Sequence, residues 1–255
     1  MPRPYKVYLI DLDGTMYLGN VVIKEAIAFI QRLRQENLHY LFVTNNSMRT
    51  KEQVAEKLCH MGILAEPKDV LTSSAATVNY IKAHFKQSSV FYIGGEGLQT
   101  ELERAGFRYD EEHPDVVVMG LDQQITYEKL AKATLAVRAG ATFLSTNPDV
   151  ALPSERGLLP GNGSLTSVIT TSTGRKPIVI GKPGAEMVEQ ALELFQLDHE
   201  DAIMVGDNYH TDILAGIHAK VDTLLVHSGV TRSSDLRQQA IQPTYTVDTL
   251  ADWHF

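Results

Sequence analysis

Asp11 and Asp13 stand two residues apart in the run Asp11-Leu12-Asp13-Gly14-Thr15, directly behind the apolar segment Tyr8-Leu9-Ile10. Alternation in an extended chain puts both carboxyls on one side and Leu12 on the other. Two carboxylates so placed repel each other unless a proton or a cation lies between them. A hard divalent cation suits, because magnesium takes oxygen ligands and keeps positions open for phosphate oxygens. Gly14 lets the chain turn sharply, and Asp-Gly is equally ordinary turn chemistry. Three further polar clusters have the same double character. Thr44-Asn45-Asn46-Ser47 offers a hydroxyl and two amides that can donate to a phosphate, or simply cap the next segment. Lys182, between Gly181 and Pro183, can neutralise a phosphate and a nearby carboxylate, or sit solvated on the surface. In Gly206-Asp207-Asn208-Tyr209-His210-Thr211-Asp212, Asp207 can ligate a metal and Asp212 can orient a cation or Lys182, or both can cap a helix.

Each cluster sits just after a predicted strand. Apolar runs place strands at 8–10, 40–43, 70–71, 90–93, 116–119, 142–144, 178–180, 202–205 and 223–226. Helical spacing of apolar residues appears at Ile23, Ala26, Ile27, Ile30 and Leu33. It appears again from a Thr50/Gln53 capping-box pattern through Val54, Leu58 and Met61. Further helices are expected over 98–105, 127–137 and 187–195, with a loop-rich stretch over 147–163. Strands alternating with helices predict an α/β fold, a Rossmann-like parallel sheet with helices on both faces. Open sheets of this kind bind ligands outside the carboxyl ends of their strands, where all four clusters lie.

The composition narrows the partners. A chain of 255 residues corresponds to roughly one large or two modest domains. Apolar residues make up 44% and charged ones 21%, which excludes a disordered or low-complexity protein. The formal charge is 23 − 31 = −8 without a Lys/Arg block, so no nucleic-acid partner is expected. Cys59, the single cysteine, excludes an internal disulfide and a zinc site built on cysteine pairs. No apolar run reaches the roughly 18 residues of a membrane span, and the opening segment is too short for a signal-peptide core. A cytoplasmic protein without a membrane partner is the expectation.

Taken together and in this order, the four clusters resemble the motifs of the haloacid dehalogenase-like (HAD) hydrolase superfamily. The matching residues are Asp11-x-Asp13-x-Thr15, Thr44, Lys182, and Gly206-Asp207 with Asp212. The resemblance implies that Asp11 attacks phosphorus to form an aspartyl-phosphate. It implies that Asp13 first protonates the leaving oxygen and then deprotonates the hydrolytic water. Magnesium would be held by Asp11, Asp207 and the backbone carbonyl of Asp13. Thr44, Asn45 and Lys182 would grip the phosphoryl oxygens, and Asp212 and Asn208 would support the arrangement. An acid at Asp13 distinguishes phosphatases and phosphotransferases from the superfamily's transport ATPases and dehalogenases.

From Thr44 to Lys182 is 182 − 44 = 138 residues, far more than one crossover needs. The superfamily often places a cap domain there. Thr44-Asn45-Asn46-Ser47, Ser145-Thr146-Asn147-Pro148-Asp149 and Pro160-Gly161-Asn162-Gly163-Ser164 resemble the NagD-like, 4-nitrophenylphosphatase-like subfamily with its large α/β cap. The expected organisation is a discontinuous catalytic core at 1–77 and 178–255 with an α/β cap at 78–177. Asn147 and Asp149 would be cap contacts to substrate, or a polar turn. The implied function is hydrolysis of a small phosphorylated metabolite, with a homodimer through the cap as a further expectation. Two alternatives stay open: phosphotransfer between metabolites, and a non-catalytic phospho-ligand sensor. Gly94-Gly95-Glu96-Gly97 lacks the Lys-Ser/Thr of a phosphate-binding loop and reads as a tight turn. His210 reads as a solvent-facing turn residue, Cys59 as a core residue, and Tyr17 as either an entrance residue or packing. Residues 233–255 carry no motif.

Overall fold

The computed structural model describes residues 4–255; Met1–Arg3, part of the opening segment considered above, lie outside the described residues. The chain begins β1 (Val7–Ile10), β2 (Tyr17–Leu18), β3 (Val21–Val22), α1 (Lys24–Gln35), β4 (His39–Thr44), α2 (Lys51–His60) and β5 (Val70–Thr72). It continues α3 (Ser73–His84), β6 (Ser89–Ile93), α4 (Glu96–Arg104), β7 (Arg108–Tyr109), β8 (Val116–Met119), α5 (Tyr127–Ala139), β9 (Thr142–Ser145), β10 (Ala151–Ser154), β11 (Gly157–Pro160), α6 (Asn162–Thr173) and β12 (Ile178–Val179). It ends α7 (Glu186–Phe195), β13 (Ala202–Gly206), α8 (Leu214–His218), β14 (Asp222–Val226), α9 (Ser233–Leu236) and β15 (Tyr245–Val247). Among the described residues no helix is long and apolar enough to cross a membrane.

These elements form two compact units: one of the residues up to Thr44, Lys51–Leu71 and Lys182–Phe255, the other of Asn45–Thr50 and Thr72–Gly181. The first is built on a six-stranded sheet in the order β15-β14-β13-β1-β4-β5. The pairs β1–β13, β1–β4, β13–β14 and β14–β15 run parallel. β1 is apolar and buried along its whole length, as a central parallel strand covered on both faces must be. Helix α1 buries Ala26, Ile30 and Leu33 of the predicted stripe, together with Phe29, while Ile27 is half-buried and Ile23 is the N-cap. The C-terminal stretch closes this core. β15 is its edge strand, Trp253 is buried against Tyr245, and the Arg32 guanidinium donates to the carbonyls of Trp253 (2.8 Å) and Leu250 (2.7 Å). Residues 233–255, which carry no motif, therefore have a structural role.

The second unit has its own parallel sheet, β12-β9-β8-β6-β7, with an antiparallel hairpin of β10 and β11. The hairpin falls within the stretch expected to be loop; its Gly and Pro residues serve a tight hairpin instead. The long stretch of this unit runs from Thr72 to Gly181, against the expected 78–177. Helix α3 is the reason at the front boundary. Its Ser73 and Ser74 hydroxyls donate to the carbonyls of Asn45 (2.7 Å) and Ser47 (2.8 Å), tying the helix and the 45–50 loop together. At the back, Gly181 N–H donates to Thr146 O at 2.9 Å. Gly94 and Gly95 make the tight turn between β6 and α4, while Glu96 and Gly97 of the expected turn already belong to α4.

The reading of Cys59 as a core residue is corrected: its side chain is exposed. Val54, Ala55 and Leu58 form the buried face of α2, and one further residue of helix turns Cys59 about 100° off it.

Candidate active site

The sheet order brings the motifs together. β1 lies between β4 and β13, with Ile10 opposite Phe42 on one side and Val205 on the other. Asp11, Thr44 and Asp207 therefore emerge at the carboxyl ends of three adjacent strands, where the strand order reverses and helices leave to either side. Asp11 N–H donates to Val205 O at 2.9 Å, which carries the sheet one residue past β1 and fixes the start of the acidic turn. Gly14 closes that turn at φ +98°, with its N–H on Tyr17 O at 2.7 Å. A Cβ there would lie 2.4 Å from the Asp207 carboxylate, so only glycine lets the turn come this close.

Lys182 is the centre of the charge arrangement. It is 1% exposed, and its Nζ donates to Asp11 Oδ1 (2.5 Å), Asp212 Oδ1 (2.8 Å) and Val43 O (2.8 Å). All three ammonium protons thus have an acceptor. Burial alone would push the ammonium pKa down, but the two carboxylates outweigh it and hold the group above the ordinary lysine range. Asp11 is held well above the usual carboxylate range, first by burial and then by the charge of Asp212, with Lys182 pulling the other way. Asp207 is pushed up to about 6 by burial and by Asp212, against the pull of the Val230 N–H.

Asp11, Asp207 and Asp212 each place a carboxylate oxygen within 4.8 Å of the others. With all three acids ionised, three carboxylates against one ammonium would leave the buried cluster two negative charges in excess. This all-oxygen donor set fits a hard divalent cation, which would remove the excess. The three acids are not equivalent. Asp212 is committed: Oδ1 takes Lys182 (2.8 Å) and the Thr211 hydroxyl (3.2 Å), and Oδ2 takes the Asn208 N–H (3.1 Å). Asp11 Oδ2 and Asp207 Oδ1 receive only long contacts from the Thr15 hydroxyl, 3.5 and 3.3 Å. Their lone pairs are the ones left for a ligand.

Family models match this chain in two stretches that flank the middle of the inserted unit. A haloacid dehalogenase-like hydrolase model covers residues 8–108 and a HAD-hydrolase-like model covers 179–253. The 5'-nucleotidase YutF of Bacillus subtilis (strain 168) is 51% identical over 251 residues, 98% of each chain. The chain belongs to the haloacid dehalogenase-like hydrolase family. An acid sugar phosphatase of Staphylococcus haemolyticus is 51% identical, with 97% of this chain and 95% of that one covered. A thermostable NPPase double mutant from Geobacillus stearothermophilus superposes with a TM-score of 0.94 at 50% identity, covering 99% of both chains. A 4-nitrophenylphosphatase from Thermotoga maritima superposes with a TM-score of 0.92 at 34% identity, over 97% of this chain and 95% of that one. The chain is thus a hydrolase of the family, similar along nearly its full length to 4-nitrophenylphosphatases, as its motifs suggest.

Asp11, Lys182, Asp207 and Asp212 converge, all buried, and Thr44 ends β4 with 8% of its surface exposed. Asp13 differs in being exposed, and among the described residues its carboxyl takes no hydrogen bond. It stands outside the carboxylate cluster, whose third member is Asp212; the share assigned to Asp13 is its backbone carbonyl. Asn208 acts locally, its Oδ1 accepting from His210 N–H at 3.0 Å, and His210 is exposed as expected. Tyr17 is packed: it is 7% exposed, with the Lys57 ammonium 3.6 Å from its ring centroid.

Asn45, Asn147 and Asp149 belong to the inserted unit and form a network there. Asn45 Nδ2 donates to both Asp149 oxygens (3.1 and 3.2 Å), Asn147 Nδ2 donates to Asn45 O (2.8 Å), and Asp149 N–H donates to Asn147 Oδ1 (3.1 Å). Asp149 therefore holds the Asn45 amide. The segment Ser228–Thr231, to which no motif points, lies against both acidic turns. It contains one serine, one glycine, one valine and one threonine, and nothing in those types signals chemistry.

Proposed function

We propose that this protein is a magnesium-dependent phosphomonoesterase of small phosphorylated metabolites, working through an aspartyl-phosphate on Asp11. The observation that carries this reading is the buried Asp11–Lys182–Asp212 chain beside Asp207, with Asp13 exposed two residues from Asp11. Lys182 holds the Asp11 carboxylate in one orientation, and Asp212 holds Lys182, so the nucleophile is positioned before substrate arrives. An oxygen of Asp11 attacks phosphorus as the ester P–O bond breaks, and Asp13 gives its proton to the departing oxygen. Asp13, now a carboxylate, takes a proton from water; the resulting hydroxide oxygen attacks the phosphoryl group, the Asp11–phosphorus bond breaks, and inorganic phosphate leaves. Thr44 holds an equatorial oxygen in both steps, and the Lys182 charge beside Asp11 offsets the charge of the phosphoryl group. Magnesium, held by Asp11, Asp207 and the Asp13 carbonyl, would offset the two excess negative charges that otherwise repel a phosphate dianion.

The names of the relatives (5'-nucleotidase, acid sugar phosphatase, 4-nitrophenylphosphatase) support nucleoside monophosphates, sugar phosphates and aryl phosphates as the substrate classes to test. The test is phosphate release from such a panel with magnesium and then with EDTA. Magnesium-dependent release by the wild type, abolished in Asp11→Asn, is the expected result. Phosphoryl groups appearing on an acceptor alcohol instead of as free phosphate would replace hydrolysis by transfer. Undiminished release by Asp11→Asn would end the covalent mechanism.

A further inference from the structure

Asp207 is buried, and beyond its own N–H the segment after β14 holds its carboxylate in place. Val230 N–H donates to Asp207 Oδ2 at 2.7 Å, and Thr231 N–H donates to the Asp207 carbonyl at 3.1 Å. The Thr231 hydroxyl accepts the N–H of Tyr209, two residues past Asp207, at 2.8 Å. The same segment reaches the other acidic turn, where the Ser228 hydroxyl donates to Gly14 O at 2.7 Å. Gly229 passes so close that a Cβ would lie 2.1 Å from Asp207 Oδ2.

The base of the segment is fixed independently. His227 N–H donates to Val247 O of the edge strand at 3.0 Å. Its Nδ1 faces Thr231 O at 3.1 Å; a carbonyl only accepts, so Nδ1 carries the proton. Its Nε2 lies 3.3 Å from the Ser233 hydroxyl.

We propose that Ser228–Thr231 is a positioning clasp that joins the Asp11–Gly14 turn to Asp207 and sets the carboxylate geometry for a divalent cation. The inference rests on the metal reading proposed above. With Oδ2 occupied by Val230 N–H, the carboxylate plane of Asp207 is fixed and Oδ1 is the oxygen presented to the cluster. With Gly14 O held by Ser228, the turn that carries the Asp13 carbonyl cannot rotate freely. Groups that orient a ligand without touching the metal commonly change its affinity by about 10- to 100-fold. Ser228 and Thr231 are the side chains through which the clasp is testable, since the Val230 and Thr231 N–H groups belong to the backbone.

The experiment is a Mn²⁺ titration, followed by electron paramagnetic resonance without substrate, on wild type, Asp207→Asn, Ser228→Ala, Thr231→Val and Thr231→Ser. Urea unfolding read by Trp253 runs alongside. The expected result is a Kd raised about 10-fold or more in Ser228→Ala and Thr231→Val. Thr231→Ser keeps the hydroxyl and should return to within about threefold of wild type. The Ser228→Ala unfolding midpoint should stay at the wild-type value, which separates positioning from folding. Mn²⁺ affinities of Ser228→Ala and Thr231→Val within twofold of wild type, with Asp207→Asn impaired, would overturn the clasp alone. Equal affinity in wild type and Asp207→Asn would overturn the metal reading and the clasp with it.

Discussion

Replacing Lys182 by methionine keeps most of the side-chain volume and removes the one positive charge in the acid cluster. At an effective dielectric of about 20, a unit charge 2.5–2.8 Å from a carboxylate gains roughly 6 kcal/mol per partner, so Asp11 and Asp212 together give roughly 12 kcal/mol gross. Returning the ammonium to water in the unfolded state recovers several kcal/mol. Proton uptake by the stranded acids recovers more. The net loss expected on breaking such a buried pair is about 3–5 kcal/mol. The sign of its pH dependence follows from Asp11, whose pKa burial already holds above the usual carboxylate range and which loses the ammonium that pulled it down. The folded variant then binds more protons than the unfolded chain, so its stability increases as pH falls toward the unfolded carboxylate pKa near 4. The assay is urea unfolding in EDTA at pH 7.5 and pH 5, read by the single tryptophan. Trp253 is buried in the first unit, the same unit as Lys182, so its fluorescence reports the relevant transition. A deficit under about 1 kcal/mol at pH 7.5, or one that does not shrink at pH 5, would refute the view that Lys182 is the counter-charge holding the acids together.

Two further outcomes follow from the same geometry. Asp13→Asn should leave the acyl-phosphate formed but slow to hydrolyse, giving a product burst of one per enzyme and a steady rate about 10²- to 10⁴-fold lower; rapid-quench kinetics with 4-nitrophenyl phosphate reads both, and an unchanged steady rate excludes the acid/base role. Asp207, pushed up to about 6, and Asp11, held above the usual carboxylate range, must both lose their protons to bind a cation, so magnesium affinity should fall as pH falls through about 6; calorimetric titrations from pH 5 to 8 check this, and a flat profile contradicts it.

The sequence makes the reactive residues legible because a parallel sheet leaves them a single kind of position. β1, β4 and β13 are short apolar runs, each followed at once by polar groups, and that juxtaposition predicts both the strands and the edge where chemistry gathers. Helices with an apolar stripe, such as α1 and α7, are equally visible. Helix α3 is not, because it buries Ser73, Ser74 and Thr77 alongside Ala75, Ala76, Val78 and Ile81 and so shows no stripe. Helix α6 hides for a related reason: its residues are mostly Ser and Thr with β-branched neighbours, which are weak helix formers. Cys59 shows how fine the limit is, since a single residue of register separates it from buried Leu58. The exposure of Asp13 beside buried Asp11 is also beyond alternation, which predicts one side for both but says nothing of depth.

The clasp marks a different kind of limit. A buried carboxylate needs a donor, and a backbone N–H can serve only if the chain approaches within hydrogen-bond distance. A Cβ at either Gly14 or Gly229 would stand closer than 2.5 Å to Asp207, so both approaches exist because those side chains are absent. Gly14 is recognisable in the sequence because it lies inside the acidic motif. Gly229 lies in another strand's loop, between Ser228 and Val230, and its meaning appears only when β14 is laid beside β13. An acid used for chemistry thus brings with it a glycine elsewhere in the chain. Sequence spacing around the acid cannot reveal that partner, because the sheet order, not the local chain, decides which loop comes to rest upon it.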